Sequence, residues 1–506
     1  MANNTSAPVT NPTWYGNIRN LFNSTDVQHM RQQGLDLASY DEVKNHAGDI
    51  YQQVAAQNMP PGSPWPTDWV ATFLNWMNAG YPKGSPPRTP SPARLAALQV
   101  KATTRVRKDI TTLSSTELDN LKNAFTTIMA KGSTDPNSYF VQAAYHWYPE
   151  PNTYCMHHVP GYNPWHRAYM LSFENALRSV PGCENVTLPY WDITTPFPEV
   201  LKSAPFDAYT LPEAVSPDYP KGYVTNRFDY PTIEQNLAKY NVTADINRAL
   251  TKTDWEDFNG FWSDAAYNTI IAGHDSGHNS IGKTMQDQGV AAFDPVFWFF
   301  HCNWDRLFWK WQTLMMATDL NGLISTINKD TDPISYQIFT DPALEVLNPF
   351  TTNPPKVNTT TIIDSVNGLD VAYQDPPSTT EVTMLPKTKA TALASEQFFV
   401  HTKRVNVRVS GVNRLKIPGS FNVHLLKDGQ PIASRGFFQP VEVEKCETCV
   451  QNAIVHFDFE LPLEAVAEGK LGVWVEPLNT SFIGDRFPNK LMGNPTVEVR
   501  FLLSTE

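Results

Sequence analysis

Cysteine, positive charge and long apolar runs are all in short supply in this chain. Its 506 residues include five cysteines, too few for a disulfide framework, so a reducing, cytoplasmic location is the simplest expectation. The opening sequence MANNTSAPVT lacks the basic start and apolar run of a secretory signal. No segment approaches the roughly 18 apolar residues of a membrane span, and a net charge of −12 argues against a nucleic-acid-binding face. We therefore expect neither a membrane nor a nucleic acid as a partner.

The chain is long enough for two or three domains, and changes in its composition indicate where they divide. Residues 1–92 predict short helices and then a proline-rich linker, with no role that the sequence reveals. Residues 93–380 carry apolar residues at helical spacing, and residues 396–506 carry alternating ones. A stretch rich in Thr and Pro, 350–395, separates these blocks, and we take 381–395 as the linker itself. The expected fold class is mainly α, a helical bundle followed by an antiparallel β-sandwich or barrel.

The second block opens with a helix signal. Ser114-Ser115-Thr116-Glu117 has the residue types of a helix start, and apolar residues follow at helical spacing. Further helices are predicted over 139–147, 163–180, 233–240, 262–279 and 294–317. The segment 192–232, rich in Pro, Tyr and Asp, is predicted to be loop.

The third block changes its period from that of a helix to that of a strand. Val405, Val407 and Val409 alternate with polar residues, which predicts a strand with one buried face. Asp428-Gly429, which follows another alternating segment, is typical of a tight hairpin turn. Comparable alternation is found at Val455, Phe457, Phe459, Val473, Val475, Val497, Val499 and Phe501. The pattern therefore favours an antiparallel β domain.

Histidines are concentrated in the helical block. Seven of the 12 histidines lie between residues 146 and 301, in two groups. The first group is His146, His157, His158 and His166, and the second is His274, His278 and His301. His274 and His278 are four residues apart, so a helix would place both imidazoles on one face, where one metal ion could bind both. Each group can offer three imidazoles.

Spacing alone does not choose the metal, because an all-nitrogen site suits copper, zinc, iron or nickel. His274 is not followed by the Glu that marks the helix of a zinc protease. A binuclear zinc or iron hydrolase stays open at this point, although Asp and Glu are scarce at ligand-like positions in both groups.

Longer motifs around these histidines resemble those of a known family. The segments are Arg107-Lys108-Asp109-Ile110, Cys155-Met156-His157, Pro164-Trp165-His166-Arg167-Ala168-Tyr169 with Phe173-Glu174, Leu188-Pro189-Tyr190-Trp191-Asp192, and Phe293-Asp294-Pro295-Val296-Phe297-Trp298 leading to His301, Asn303, Asp305-Arg306 and Trp309. They resemble motifs of the tyrosinase and catechol oxidase (polyphenol oxidase) family of type-3 copper proteins. The match covers roughly residues 103–375, and the β domain is similar to the lid domain of the longer members.

The resemblance implies two copper ions, with O2 and a phenol or catechol as reaction partners. Carried over by motif, the first copper would be held by His146, His157 and His166, and the second by His274, His278 and His301. The implied reaction is oxidation of o-diphenols to o-quinones, with water as the other product. The family also includes members that hydroxylate monophenols.

Two residues next to the expected ligands have special status. In relatives with a Cys-x-His pattern a thioether joins the cysteine to the ligand, and Cys155 and His157 stand at that spacing. The resemblance therefore implies a thioether between them; a buried free cysteine is the alternative. His158 follows directly, and we interpret it as a residue that either supports a ligand or lies at the surface, because His157 keeps the nine-residue spacing to His166.

Hydroxylation of monophenols would need a base near the second copper. Asp275 and Asn279 follow the first two expected ligands there, so either could position a water, and Asp275 could accept a proton. Two departures from many relatives stand against this activity. No Glu is found in the ten residues before His274, and Phe300 stands where many relatives have a second His. Oxidation of diphenols is thus the firmer expectation.

The β domain of relatives covers the copper pocket and places a side chain where substrate would bind. Phe437 and Phe438 are the candidates for that placeholder, although adjacent aromatic residues in a strand also suit a core. Cys446 and Cys449 form a Cys-x-x-Cys loop that could pass Cu(I) to the site as a pair of thiolates, or form a disulfide instead.

An oxygen carrier is the main alternative to an oxidase. Molluscan hemocyanin units share the copper core and a β domain, and would bind O2 reversibly while oxidising catechols poorly. Hemocyanins are repeats of such a unit, whereas this chain contains one.

Overall fold

The computed structural model describes residues 8–14, 17–22, 26–27, 29–30, 33, 35–60, 64–84, 105–150, 154, 156–259, 269–341, 347–374, 404–479 and 492–501. The chain forms two compact units, one before residue 92 and one after it, and each is described by itself. Among the described residues, no helix has both the length and the apolar character needed to cross a bilayer.

The N-terminal unit is a small helical assembly. Its helices are α1 (Tyr40–Asn45), α2 (Ala47–Ala55) and α3 (Thr67–Asn78). Aromatic residues fill its core, where Phe73 lies 5.8 Å from Trp65 and 5.5 Å from Trp76 between ring centroids. These rings bury enough apolar surface to give the unit a core of its own.

The second unit begins with a large helical core. Its helices are α4 (Ser115–Met129), α5 (Tyr139–Ala144), α6 (Tyr162–Arg178), α7 (Tyr230–Lys239), α8 (Val242–Ala249), α9 (Trp255–Asn259), α10 (Ile270–Ile281), α11 (Val296–Met315), α12 (Leu320–Ile324), α13 (Pro333–Thr340), α14 (Thr359–Ile363) and α15 (Ser365–Leu369). The helix start predicted at Ser114–Glu117 is confirmed, and the two side chains form a capping box there. Helix α8 was not predicted, since its eight residues are too few for a clear periodic pattern.

A short parallel pair of strands closes the helical core. Strand β1 (Arg105–Lys108) pairs with β2 (Val371–Gln374). The interpretation of 350–395 as a separating stretch is therefore wrong for its first part, because residues 350–374 include α14, α15 and β2 and bury Phe350 and Tyr373 in the core. Asn358 and Asp364 cap the two helices there, and Thr361 completes the capping box at Asn358.

Buried charges hold the frame of the core together. Arg107 donates from Nε to Glu174 at 2.9 Å and from Nη1 to Asp305 at 3.2 Å, and Arg167 donates to the other oxygen of Asp305 at 2.6 Å. Asp294 accepts from the backbone N–H of Val296 at 3.0 Å at the start of α11. Arg306 donates to Asn303 on the same helix and to Asp192 in a loop. Asp305 thus ties α11 to β1 and α6, while the other three residues hold α11 and its surroundings locally.

The β domain follows, with six described strands in two three-stranded antiparallel sheets. They are β3 (Arg404–Asn413), β4 (Phe421–Lys427), β5 (Gln430–Phe437), β6 (Ile454–Pro462), β7 (Leu471–Pro477) and β8 (Thr496–Phe501), in the orders β6-β3-β8 and β5-β4-β7. The predicted hairpin is confirmed, since Asp428 and Gly429 join β4 to β5 with φ of 50° and 81°. Val405, Val407 and Val409 are all fully buried. The expected fold class is confirmed.

Candidate metal centre

Six buried histidines converge in the helical core as two groups of three. One group is His146, His157 and His166, and the other is His274, His278 and His301. Within each group the ligand atoms all lie within 4.8 Å of one another. The structure therefore brings together the residues that the sequence grouped, including His146, whose segment lies outside the long motifs.

Helix geometry places the second group. His274 and His278 lie one turn apart on α10, and His301 lies on α11. Gly277 lets the two helices approach, because a Cβ at that position would lie 2.8 Å from a ring carbon of Phe300. Phe300, which precedes the third histidine, therefore packs directly against the helix that carries His274 and His278.

Loops and one helix place the first group. His166 lies on α6, and its Nδ1 donates to the carbonyl of Tyr162 one turn earlier at 2.8 Å. His146 follows α5, and its Nδ1 donates to the carbonyl of Gln288 at 3.0 Å. The backbone thus fixes these two rings through Nδ1 and leaves their Nε2 atoms for the centre.

The other nitrogen of these rings has the character expected of a metal ligand. The Nε2 atoms of His146, His166 and His274 are buried and have no hydrogen-bond partner. The Nε2 atoms of His278 and His301 lie 3.2 Å apart. Because an orphaned buried polar atom is costly, the arrangement fits two metal ions.

Burial keeps the imidazoles uncharged. It lowers the pKa of His146 to about 3, and it lowers the pKa of the other five rings as well. The neutral imidazole is the form that binds a metal, so the site is already in its ligating form.

Cys155 lies outside the described residues, and its thioether to His157 stays a prediction. His157 itself is buried, with its ring centroid 5.1 Å from that of His146 and 5.0 Å from that of His166.

Asp275 lies between two imidazoles rather than facing an open pocket. Its Oδ1 accepts from Nδ1 of His274 at 2.9 Å, and its Oδ2 accepts from Nε2 of His158 at 2.7 Å. Burial alone would raise the pKa of Asp275, but interaction with His158 and His274 outweighs burial and lowers it. Asp275 is thus held as a carboxylate that supports ring nitrogens.

Asn279 faces the β domain. Its Nδ2 donates to the carbonyl of Phe421 at 3.0 Å and to Oδ1 of Asn422 at 3.1 Å, while its own Oδ1 is buried without a partner. Asn279 therefore links α10 to β4, and its amide oxygen is still available to a small polar molecule.

The structure distinguishes the two adjacent phenylalanines. Phe438 stacks on the ring of His278, with centroids 3.8 Å apart and planes 12° apart, and belongs to the buried cluster of the helical core. Phe437 stacks on Phe421 at 4.8 Å and belongs to the core of the β domain. Of the two candidates, Phe438 is the one that lies over the histidines.

Strand β5 approaches α10 closely beside these rings. The N–H of Gly436 donates to Oγ of Ser276 at 3.1 Å, and a Cβ on Gly436 would lie 2.9 Å from Cα of Ser276. Arg435 donates to the buried carboxylate of Asp245 on α8. A glycine at residue 436 is therefore what allows Phe438 to reach the centre.

Cys446 and Cys449 form a disulfide, which was the alternative to a pair of thiolates. Cys449 accepts a hydrogen bond from Nη2 of Arg414 at 3.0 Å, and Nε of Arg414 donates to Gln439 at 3.0 Å. The loop is thereby connected to the residue that follows Phe438.

Sequence reasoning missed several groups that shape the centre. The carbonyls of Gln288 and Met285 orient His146 and His278, and Asp245 anchors Arg435. A carbonyl leaves no trace in residue type, so the first two had no signal. Val242, Asp245 and Ile246 stand at i, i+3 and i+4, as on one helix face, but a segment of this length gave no clear signal for α8 or for Asp245.

Comparison with known proteins extends these observations. Residues 136–233 and 199–314 match the family model described as the common central domain of tyrosinase. A tyrosinase of Aspergillus oryzae is 25% identical over 448 residues, which cover 62% of this chain and 80% of that protein. A hemocyanin of Enteroctopus dofleini (A-type, units Ode to Odg) is 27% identical over 279 residues, which cover 50% of this chain and 22% of that protein.

Solved structures share the fold. A tyrosinase from Burkholderia thailandensis gives a TM-score of 0.57 at 22% identity and covers 78% of this chain and 99% of its own. A functional unit of octopus hemocyanin gives 0.54 at 18%, covering 79% and 100%. A mutant of Aspergillus oryzae pro-tyrosinase gives 0.51 at 16%, covering 73% and 91%. The two histidine groups lie within this shared fold and fit a binuclear copper site.

Proposed function

The chain belongs to the tyrosinase family of binuclear copper proteins, and we propose that it is an oxidase that uses O2 to convert o-diphenols to o-quinones. The observation that carries the proposal is the pair of buried, uncharged histidine triads, in which the Nε2 atoms of His146, His166 and His274 have no hydrogen-bond partner. Two copper ions held there would transfer electrons from two catechols to one O2, which gives two quinones and two waters.

The groups around the centre hold the histidine rings in place and exclude water from them. Carbonyls fix three of the rings through Nδ1, and a carboxylate fixes a fourth, so little rearrangement is needed when electrons move. Apolar rings such as Phe297, 4.1 Å from His301 between centroids, exclude water from the ligands.

We further propose that the full chain is latent. Phe438 occupies the face of His278 against which a phenol ring would otherwise stack. Residues on β5 and β4 hold the β domain to the helical core by hydrogen bonds: Gly436 and Arg435 on β5 to Ser276 and Asp245, and Asn422 on β4 to Tyr240. Removal or displacement of the β domain would open the face of His278 to substrate.

Oxygen carriage is the second candidate function, favoured by the hemocyanin relatives and by the shared fold of the octopus unit. A carrier would bind O2 reversibly and would oxidise catechols slowly even with its β domain removed. Sequence likeness and fold do not separate the two functions, because both use the same six histidines.

Hydroxylation of monophenols would depend on Asp275 and Asn279, the two polar residues that follow expected ligands of the second copper. Both oxygens of Asp275 accept hydrogen bonds from imidazoles, so we assign this residue to ligand support rather than to proton acceptance. The free Oδ1 of Asn279 is the better candidate for holding a water. We therefore expect diphenols to react faster than monophenols.

One experiment tests the main proposal. The purified full chain is analysed for copper, and oxygen uptake is then followed with a catechol and with a monophenol, before and after limited proteolysis of the β domain. We expect two coppers per chain, slow uptake by the intact chain and faster uptake with catechol after cleavage.

Each alternative has its own outcome in this experiment. Two coppers and reversible O2 binding without quinone formation would replace the oxidase by a carrier. Zinc or iron in place of copper, or no O2 uptake with either phenol after cleavage, would contradict the proposal.

A further inference from the structure

His274 differs from the other expected ligands in what holds its ring. The Nδ1 atoms of His146, His166 and His278 donate to backbone carbonyls. That of His274 donates to a carboxylate, Asp275 Oδ1, at 2.9 Å. A carboxylate makes a stronger hydrogen bond than a carbonyl and increases the basicity of the ring it holds.

A side chain that positions a ligand must itself be held, and His158 does this for Asp275. Its Nε2 lies 2.7 Å from the second carboxylate oxygen, and both side chains are fully buried. Backbone carbonyls need no such support, because the helix and loop backbone already fixes them. Without His158, the carboxylate of Asp275 could rotate and lose its hydrogen bond to His274.

The backbone and surroundings of His158 fit a dedicated role. Its φ is 52°, in the left-handed region that residues other than glycine seldom adopt, so the local chain is strained to aim this ring. Phe437 of the β domain stacks on its other side, with centroids 4.5 Å apart and planes 14° apart. The ring is therefore fixed from both the helical core and the β domain.

We propose that His158 is a positioning residue for the second copper site, acting through Asp275 on the imidazole of His274. The inference rests on the proposed copper site but not on catechol oxidation. It assigns a role to a histidine that is adjacent to an expected ligand of the first site yet supports the second. Its removal should weaken one copper and leave the other.

Copper affinity of the full chain is the direct test. Cu(I) binding is measured by competition with a colorimetric chelator, which resolves the two equivalents without any turnover. The variants are His158→Asn, His158→Leu, His158→Gln, Asp275→Asn and the pair His158→Asn with Asp275→Asn. Asn suits the left-handed backbone but is too short to reach Asp275, whereas the amide of Gln can still donate to it.

The matched control is His424→Leu. His424 is also a buried histidine held by a carboxylate, with Nε2 3.1 Å from Glu476 and Nδ1 2.8 Å from Ser434, but it lies on β4. This change should lower the unfolding temperature and leave both copper affinities as they are.

We expect His158→Asn and Asp275→Asn each to weaken one of the two equivalents by roughly 10- to 100-fold. The double variant should be no weaker than Asp275→Asn alone, because the two side chains act as one unit. His158→Gln should restore most of the affinity. If His158→Leu does not fold, His158→Asn decides the question.

Two results would overturn the inference: wild-type affinity for both coppers in His158→Asn, or a loss no greater than that of the control. A wild-type chain that binds fewer than two coppers would instead contradict the proposed function. Failure of the one is thus distinguishable from failure of the other.

Discussion

The helical core and the β domain bury their histidines in contrasting ways. In the β domain, both nitrogens of His424 have partners within the same sheet, and Arg408 makes two bonds of 2.9 and 2.8 Å to Asp458. In the helical core, four rings of the centre have partners at Nδ1, but the Nε2 atoms of His146, His166 and His274 have none. Protein groups alone therefore satisfy His424, whereas these three rings each keep a buried nitrogen for a metal.

Loss of one ligand should give the largest effect that separates the two regions. His278→Ala removes an Nε2 from the second triad, so one copper should be lost and catechol oxidation by the cleaved protein should become undetectable. The loss should exceed the roughly 10- to 100-fold effects typical of supporting residues. Copper analysis and oxygen uptake measure it, with His424→Ala as the control that keeps both coppers. Turnover retained by His278→Ala would refute its role as a ligand.

Removal of copper should destabilise the core and spare the β domain. Metal that binds only the folded state adds its binding free energy to stability, about 4 kcal/mol when it is present at 1,000 times its dissociation constant. Hydrogen exchange with and without a Cu(I) chelator should thus show faster exchange in α6, α10 and α11 than before.

The strands β3 and β6, whose core does not depend on metal, provide the internal control for that measurement. Equal acceleration in both regions would show that the two regions do not differ in their need for metal.

Two adjacent phenylalanines at the end of β5 belong to different regions: Phe437 to the β domain and Phe438 to the helical core. Phe438→Ala removes the ring that stacks on His278, so the uncleaved chain should oxidise catechol faster, by several-fold or more, with little loss of stability in the β domain. Phe437→Ala removes a ring from the β core and should cost about 3–5 kcal/mol of its stability. Oxygen uptake and thermal unfolding of both variants test this, and equal activation by the two would argue against Phe438 as the placeholder.

The smallest expected effect concerns Glu256, a carboxyl group of the helical core that is not one of the expected metal ligands. Burial, and then Asp332, Asp254 and Asp257, raise the pKa of Glu256 to about 7. Because the folded value lies above the unfolded one, the associated stability is present at low pH and is lost as the pH rises through about 7. Glu256→Gln should therefore raise the unfolding temperature slightly at pH 8 and hardly at all at pH 5. An equal shift at both values would contradict the assignment.

The sequence could predict most of the local, periodic features of the fold but few of the contacts between segments that lie far apart along the chain. The strands around Val405 and Val455 and the turn at Asp428-Gly429 follow from alternation and turn chemistry, which are local. The i, i+4 pair on α10 follows from helical period. Strand β1 was missed because four residues with two arginines do not look like a strand, and its partner lies far along the chain.

At the metal centre, prediction from the sequence was limited for the same reason. Phe437 and Phe438 are adjacent residues of the same type, so the sequence around them does not distinguish their roles. The path of β5 past Ser276 decides which of them reaches His278. Asp275 is a residue type that can act as a base, but its hydrogen bonds to His158 and His274 make it a residue that holds their rings. Tertiary contacts, which a single sequence does not display, decided both roles.

The pairing of β1 with β2 sets an order of events during synthesis. Nη1 of Arg107 donates to the hydroxyl of Tyr373, 266 residues away, at 2.8 Å, so the frame that holds Glu174 and Asp305 cannot close until Tyr373 has been made. His301, the last of the six histidines, is made about 70 residues earlier. At roughly 5–20 residues per second, the growing chain carries all its ligands for roughly 4 to 14 seconds before its frame is locked. Strand β5 is made later still, so the ligand set exists in an unfinished chain before Phe438 is made to cover it.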